Sequence, residues 1–153
     1  MSREPSGQPV HIIACGVLAA DLSHLTKQLG FPCSMEFLPG GLHTRPQELQ
    51  TRLQERIDDL SASFRGERIV LGYGVCGLGT VGLHARNVPL VMARVNDCIA
   101  LFLGSDAAYK KQFARYPGTY YVSAGWVEEN AHPQLADEAP VYCGPDCYTF
   151  PQL

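Results

Sequence analysis

Several features are missing from this sequence, and each absence narrows it. There is no basic stripe, and a formal net charge of −3 with a pI near 5.9 gives no electrostatic footprint for nucleic acid or an acidic membrane. No apolar run approaches the roughly 18 residues needed to span a bilayer. Ile12-Ile13-Ala14-Cys15 resembles a lipoprotein cleavage box, and Leu18-Ala19-Ala20 a signal-peptidase site. Neither follows an apolar stretch of sufficient length, because residues 1–10 are polar and contain proline. These absences point to a cytoplasmic protein with no membrane and no nucleic-acid partner. There is also no internal repeat and no low-complexity segment. Six cysteines in that compartment are expected to be reduced, metal-bound or simply buried rather than paired in structural disulfides.

What is present is an alternation of strand and helix signals. A length of 153 residues suits one domain and lets about two-thirds of the unfolded surface be buried. Residues 1–9 read as a disordered leader. Val10 to Gly16 reads as a strand ending in a turn, and Leu18, Leu22, Leu25 and Leu29 then recur at helical spacing before Gly30. Met35 to Leu38 alternates polar and apolar as a more peripheral strand. Thr44 with Gln47 and Pro46 predicts a capped helix start, and Leu49, Leu53, Ile57 and Leu60 form its stripe.

Ile69-Val70-Leu71 is a short apolar run of the kind covered on both faces of a sheet, and it runs into Gly72-Tyr73-Gly74-Val75-Cys76-Gly77-Leu78-Gly79. A short helix through Leu83 and Ala85 is expected next. Residues 88–95 read as a strand and Asn96-Asp97-Cys98 as a helix start with Asp97 or Asn96 as cap. Residues 106–116 read as an exposed helix and Thr119 to Ser123 as a last strand. Prolines break the pattern beyond Trp126. The whole predicts an α/β domain over 10–129, three-layered and Rossmann-like, with a mainly parallel sheet and helices on both faces. Residues 130–153 form a proline-rich extension.

Three of the cysteines sit at strand ends. In such a sheet the ligand crevice lies beyond the carboxyl ends of the strands, where strand order reverses, and Cys15, Cys76 and Cys98 are all at or just past those ends. If strands one, three and four are neighbours, about 4.8 Å apart, the three sulfurs can converge. Sulfurs around a tetrahedral zinc stand roughly 3.7 Å apart, so these thiols are candidate metal ligands. His43 is a candidate fourth ligand or proton carrier. An open fourth position would hold water or substrate. Buried packing is the plain alternative, since free cysteine is among the most buried residue types. The spacing matches no short metal signature.

Other motifs leave alternatives open. Gly72-Tyr73-Gly74-Val75-Cys76-Gly77 fits G-x-G-x-x-G after a strand, but it follows the second helix, and no acidic residue lies about 20 positions on. A tight strand-to-helix packing turn is the better reading. Cys143-Gly144-Pro145-Asp146-Cys147 has one residue too many for the thioredoxin-type motif and reads as structural or incidental. Asp97 is a helix cap or a group tuning Cys98, and Arg94 faces the crevice to hold an anion or pairs with an acidic neighbour. Trp126, Tyr120 and Tyr121 read as core or interface aromatics.

Taken together, several ordered motifs resemble the family called domain of unknown function 1638. They are His11-Ile12-Ile13-Ala14-Cys15-Gly16-Val17-Leu18, Leu42-His43, Leu71 to Gly77, Asn96 to Ser105, Pro117 to Tyr121 and Gly125-Trp126-Val127-Glu128. The likeness covers roughly residues 10–129. Members occur in bacteria and methanogenic archaea, often beside corrinoid-dependent methyltransferases for methylamines or betaines. The resemblance thus implies a one-carbon setting and puts Cys15, Cys76 and Cys98 inside family motifs. Two departures stand out: Asn96 occupies the place of an expected histidine, and the chain stops sooner after the Gly-Trp motif than expected.

The reading that follows is a metal-thiolate protein, with zinc or an iron–sulfur cluster, in corrinoid-linked methyl transfer or a related small-molecule reaction. Cys15, Cys76 and Cys98 would be the ligands, and His43 and Asp97 the proton-handling pair. The backbone at Gly74, Gly77 and Gly79, with Arg94, would hold an anionic part of the substrate. Corrinoid would enter only through a partner protein or methyltransferase, and homo-oligomerisation stays open. An accessory protein without chemistry and an interaction domain with buried cysteines are the other readings.

Overall fold

A computed structural model of the chain describes residues 7–130. Strands β1 (Val10–Cys15), β2 (Cys33–Leu38), β3 (Arg68–Gly72) and β4 (Leu90–Met92) form a four-stranded, all-parallel sheet in the order β2-β1-β3-β4. Helices α1 (Ala19–Leu25), α2 (Pro46–Ser63), α3 (Cys98–Phe102), α4 (Asp106–Arg115) and α5 (Ala124–Asn130) complete the α/β architecture. Every residue of β1 is buried, as a central strand covered on both faces requires. The connection from β1 to β2 steps one way along the sheet and that from β2 to β3 steps back across it. Right-handed crossovers therefore send α1 and α2 to opposite faces. Among the described residues no helix is long and apolar enough to cross a membrane.

The core is built where the apolar periodicities meet. Leu49, Leu53 and Ile57 of α2 are fully buried, as are Ile13 and Ile69 of the strands beneath, and each such side chain stabilises the fold by about 1.5–3 kcal/mol. Off the stripe, Arg52 pairs with Glu48 and Arg56 with Asp59. Arg56 also grips Glu36 of β2 through both carboxylate oxygens, at 2.6 to 3.2 Å. That contact ties the outer strand to α2.

Five local expectations are corrected. Thr44 does not cap α2: Gly41, at φ 79°, opens a 3-10 turn over Leu42–Thr44, and the Thr44 hydroxyl donates to the Gly41 carbonyl instead. The first helix is broken into a 3-10 turn (Gly16–Leu18), α1 and a second 3-10 turn (Thr26–Gln28), which leaves Leu25 and Leu29 exposed. No helix forms at Leu83 and Ala85, because Cys76, Gly77, Leu78 and Gly82 take positive φ angles and the segment runs as turns. The last strand is absent: Thr119 folds back on the Tyr116 carbonyl through both its N–H and its hydroxyl, and residues 119–123 run as unpaired chain. The expected strand over 88–95 shortens to β4. The proline-rich extension, with Cys143 and Cys147, lies outside the described residues, as do residues 1–6 of the leader.

Candidate functional site

The strand order reverses between β1 and β3, and a crevice is expected at that switch point. Cys15 ends β1, and Cys76 lies four residues beyond β3. The glycine turn crosses to the segment after β4 and is clamped there by two backbone bonds, Val75 N–H to Val95 O at 2.9 Å and Cys76 N–H to Asn96 O at 2.8 Å. Gly74 makes this approach feasible, since a Cβ there would lie only 2.6 Å from Asp97 N and 2.7 Å from Val95 O. The clamp brings Cys76 beside Asp97 and Cys98 at the start of α3.

The result is a cavity of about 650 Å³ whose lining includes Cys15, His43, Cys76, Gly77, Asn96, Asp97 and Cys98. Apolar and aromatic residues complete the lining, including Val17, Ile99, Phe102, Leu103, Tyr121 and Trp126. All three cysteines are reduced. Sites of 300–1,000 Å³ with a mostly apolar lining and a few converging polar groups are typical of small-molecule binding. Trp126 reaches the cavity because Gly125 packs α5 directly on the Val17 carbonyl, with no room for a Cβ.

Asp97 serves both of the roles considered for it. Its carboxylate accepts the Ile99 and Ala100 N–H groups as the cap of α3. Its charge also resists ionisation of the neighbouring thiols. Burial, then Cys76, then Asp97 push the Cys98 thiol up to about 11. Burial likewise raises Cys76, opposed by N–H donors from Gly74 and Cys98. Burial lowers His43 below its ordinary value, with Asp97 acting in the other direction. At neutral pH Cys76 and Cys98 are therefore neutral thiols and His43 a neutral imidazole beside Asp97.

The residues expected to hold an anion are divided. Gly77 lines the cavity, but Gly74 and Gly79 are not in the lining: Gly74 meets the Val95–Asp97 backbone, and Gly79 packs on Leu49. Arg94 is exposed on the surface, also off the lining. No helix opens after the glycine turn, so the dinucleotide arrangement lacks the N-terminus that would bind pyrophosphate. Among the described residues, no group of three or more His, Cys, Asp or Glu side chains could hold a metal ion. The thiols share a cavity without forming a ready ligand sphere. The apolar wall of Phe102, Leu103, Tyr121 and Trp126 was not read as part of the site. Its one signal was the placement of Tyr121 and Trp126 inside the motifs that resemble the family rather than on a helical stripe.

Fold and cavity together define the class: a parallel α/β protein with a thiol-lined pocket at the carboxyl end of its sheet. A family model described as "Protein of unknown function (DUF1638)" matches residues 37–146, well over half of the chain, and the chain belongs to that family. The match begins within β2, so Cys15 precedes it while His43, Cys76, Asp97 and Cys98 fall inside it. No curated protein and no solved structure matches the chain.

Proposed function

We propose that this protein binds a small molecule in the sheet-end cavity and presents Cys15, Cys76 and Cys98 to it as a soft thiol wall. One observation carries the reading: three thiols and an imidazole from four separate chain segments line a single cavity of ligand-binding size. The wider role attached to this site is corrinoid-linked methyl transfer or a related small-molecule reaction. Its support is the family resemblance alone. Within that role His43 and Asp97 are the groups that would move a proton at the ligand, and Gly77 and Asn96 would bound it. Raised thiol pKa values mean that nucleophilic attack by Cys76 or Cys98 first requires a ligand that favours the thiolate. Turnover with a reconstituted corrinoid methyltransferase tests the wider role. A Cys76→Ser variant that supports turnover as well as wild type would remove the thiols from it.

A zinc ion or iron–sulfur cluster is the second reading, favoured by the donor chemistry of three thiols with an imidazole. The donors as they stand do not make a metal-holding group, so no reaction step is assigned to a metal. Elemental analysis of anaerobically purified wild type and Cys76→Ser decides it. Stoichiometric metal that disappears in the variant supports the reading, and a metal-free wild type ends it.

A further inference from the structure

The lining of the cavity is one-sided in charge. Among the described residues that form it, Asp97 is the only carboxylic acid, and there is no Lys or Arg. The Asp97 charge is felt at His43, Cys76, Cys98 and Tyr109. The same lining holds three aromatic rings, Phe102, Tyr121 and Trp126. The phenol oxygen of Tyr121 is buried with no hydrogen-bond partner among the described residues, a condition that usually marks a group awaiting water or ligand. Arg94, the residue expected to receive an anion, lies outside the lining.

An anion entering this space would lose its hydration, meet one like charge and find no cation in the described lining. A bare metal ion would leave the apolar wall unused. A compact organic cation would use both kinds of lining, with its charge near the carboxylate and its apolar surface on rings whose faces attract positive charge. Building on the small-molecule reading above, we propose that the cavity takes a small organic cation, its charge turned to Asp97 and its apolar part held by Phe102, Tyr121 and Trp126.

Trp126 is the only tryptophan of the chain and lines the cavity, so its emission reports occupancy in the full-length protein. Three soluble probes of similar shape separate charge from fit: choline, 3,3-dimethylbutan-1-ol and 3,3-dimethylbutanoate. The expected result is a saturable emission change with choline, binding about tenfold or more weaker for the alcohol, and no binding of the carboxylate in the same range. Asp97→Asn keeps a residue type that caps helices while removing the charge. It should weaken choline about tenfold or more and the alcohol far less. If the variant loses its fold by circular dichroism, the wild-type probe series decides alone. Equal or tighter binding of the alcohol or the carboxylate overturns the charge assignment and leaves the small-molecule reading intact. Silence from all three probes also overturns the organic-cation assignment, while the small-molecule reading is judged by the turnover test above.

Discussion

Replacing Gly74 by alanine distinguishes two roles for the glycine turn. If the turn is a substrate cradle, the added methyl weakens binding and leaves stability alone. If it is a packing joint, the methyl drives apart the segments that carry Cys76 and Cys98. The added Cβ would stand 2.6 Å from Asp97 N, 2.7 Å from Val95 O and 2.8 Å from Asn96 C, all backbone atoms that cannot rotate away. Overpacking of this kind costs about 1–3 kcal/mol. The two bonds it strains, at 2.9 and 2.8 Å, contribute about 0.5–1.5 kcal/mol each. The sum is roughly 2–6 kcal/mol, which for a domain of this size lowers Tm by on the order of 5–20 °C. Gly118→Ala is the control, because nothing lies within 4 Å of its Cβ position, and it should hold Tm or raise it slightly. Alkylation of Cys98 should also accelerate in Gly74→Ala as the site opens to water. A Gly74→Ala protein melting within about 1 °C of wild type would refute the packing joint.

Other perturbations follow from the same contacts. Leu53→Ala removes a fully buried side chain of α2 and should cost about 2–5 kcal/mol in urea denaturation. Gly125→Ala places a methyl on the Val17 carbonyl and should lower stability by about 1–3 kcal/mol and red-shift Trp126 emission as α5 lifts. Stability should be greatest between the histidine and thiol ranges. Burial depresses His11 and His43 below 6.5, so the unfolded chain takes up protons first and stability is lost as pH falls below that value. Cys98 is raised from 9.0 to about 11, so its contribution is intact below 9.0 and is lost as pH rises towards 11, by about 2–3 kcal/mol. Urea midpoints measured across this range should trace that profile, and Cys98→Ala should flatten its alkaline limb.

How far the sequence could be read depended on which physical signal each segment carried. Ile69-Val70-Leu71 was legible because a strand buried on both faces needs no alternation. The adjacency of strands one, three and four, on which the meeting of the thiols was conditional, is realised in the sheet order. The apolar stripe of α2 was legible from its helical period, and three of its four positions are fully buried. Thr119 to Ser123 misled because a run of β-branched and aromatic residues reports only strand propensity. It does not report whether a neighbouring strand is present to pair with. The Thr44 cap misled because Gly41, three residues earlier, redirects that hydroxyl. The cavity's apolar wall was illegible in principle, as Phe102, Tyr121 and Trp126 come together only through the clamp at Gly74 and the close approach at Gly125.

Packing alone is a sufficient account of Cys33, a half-buried thiol on an outer strand. It is not a sufficient account of Cys76. That residue has φ 46°, in the left-handed region that costs a non-glycine residue roughly 1–2 kcal/mol, and its neighbour Gly77 at φ 62° shows what the turn would accept without strain. A thiol serving only as filler gains little at a position where glycine removes the penalty. Strain of this kind persists where the surroundings over-determine it, and such places cluster at ligand sites. Here the surroundings are the two bonds to Val95 and Asn96, and what they hold in place is a sulfur on the cavity wall, next to Cys98 and under the charge of Asp97. The strained backbone and the shared cavity are independent observations, and both assign the thiol at position 76 to the pocket rather than to the core.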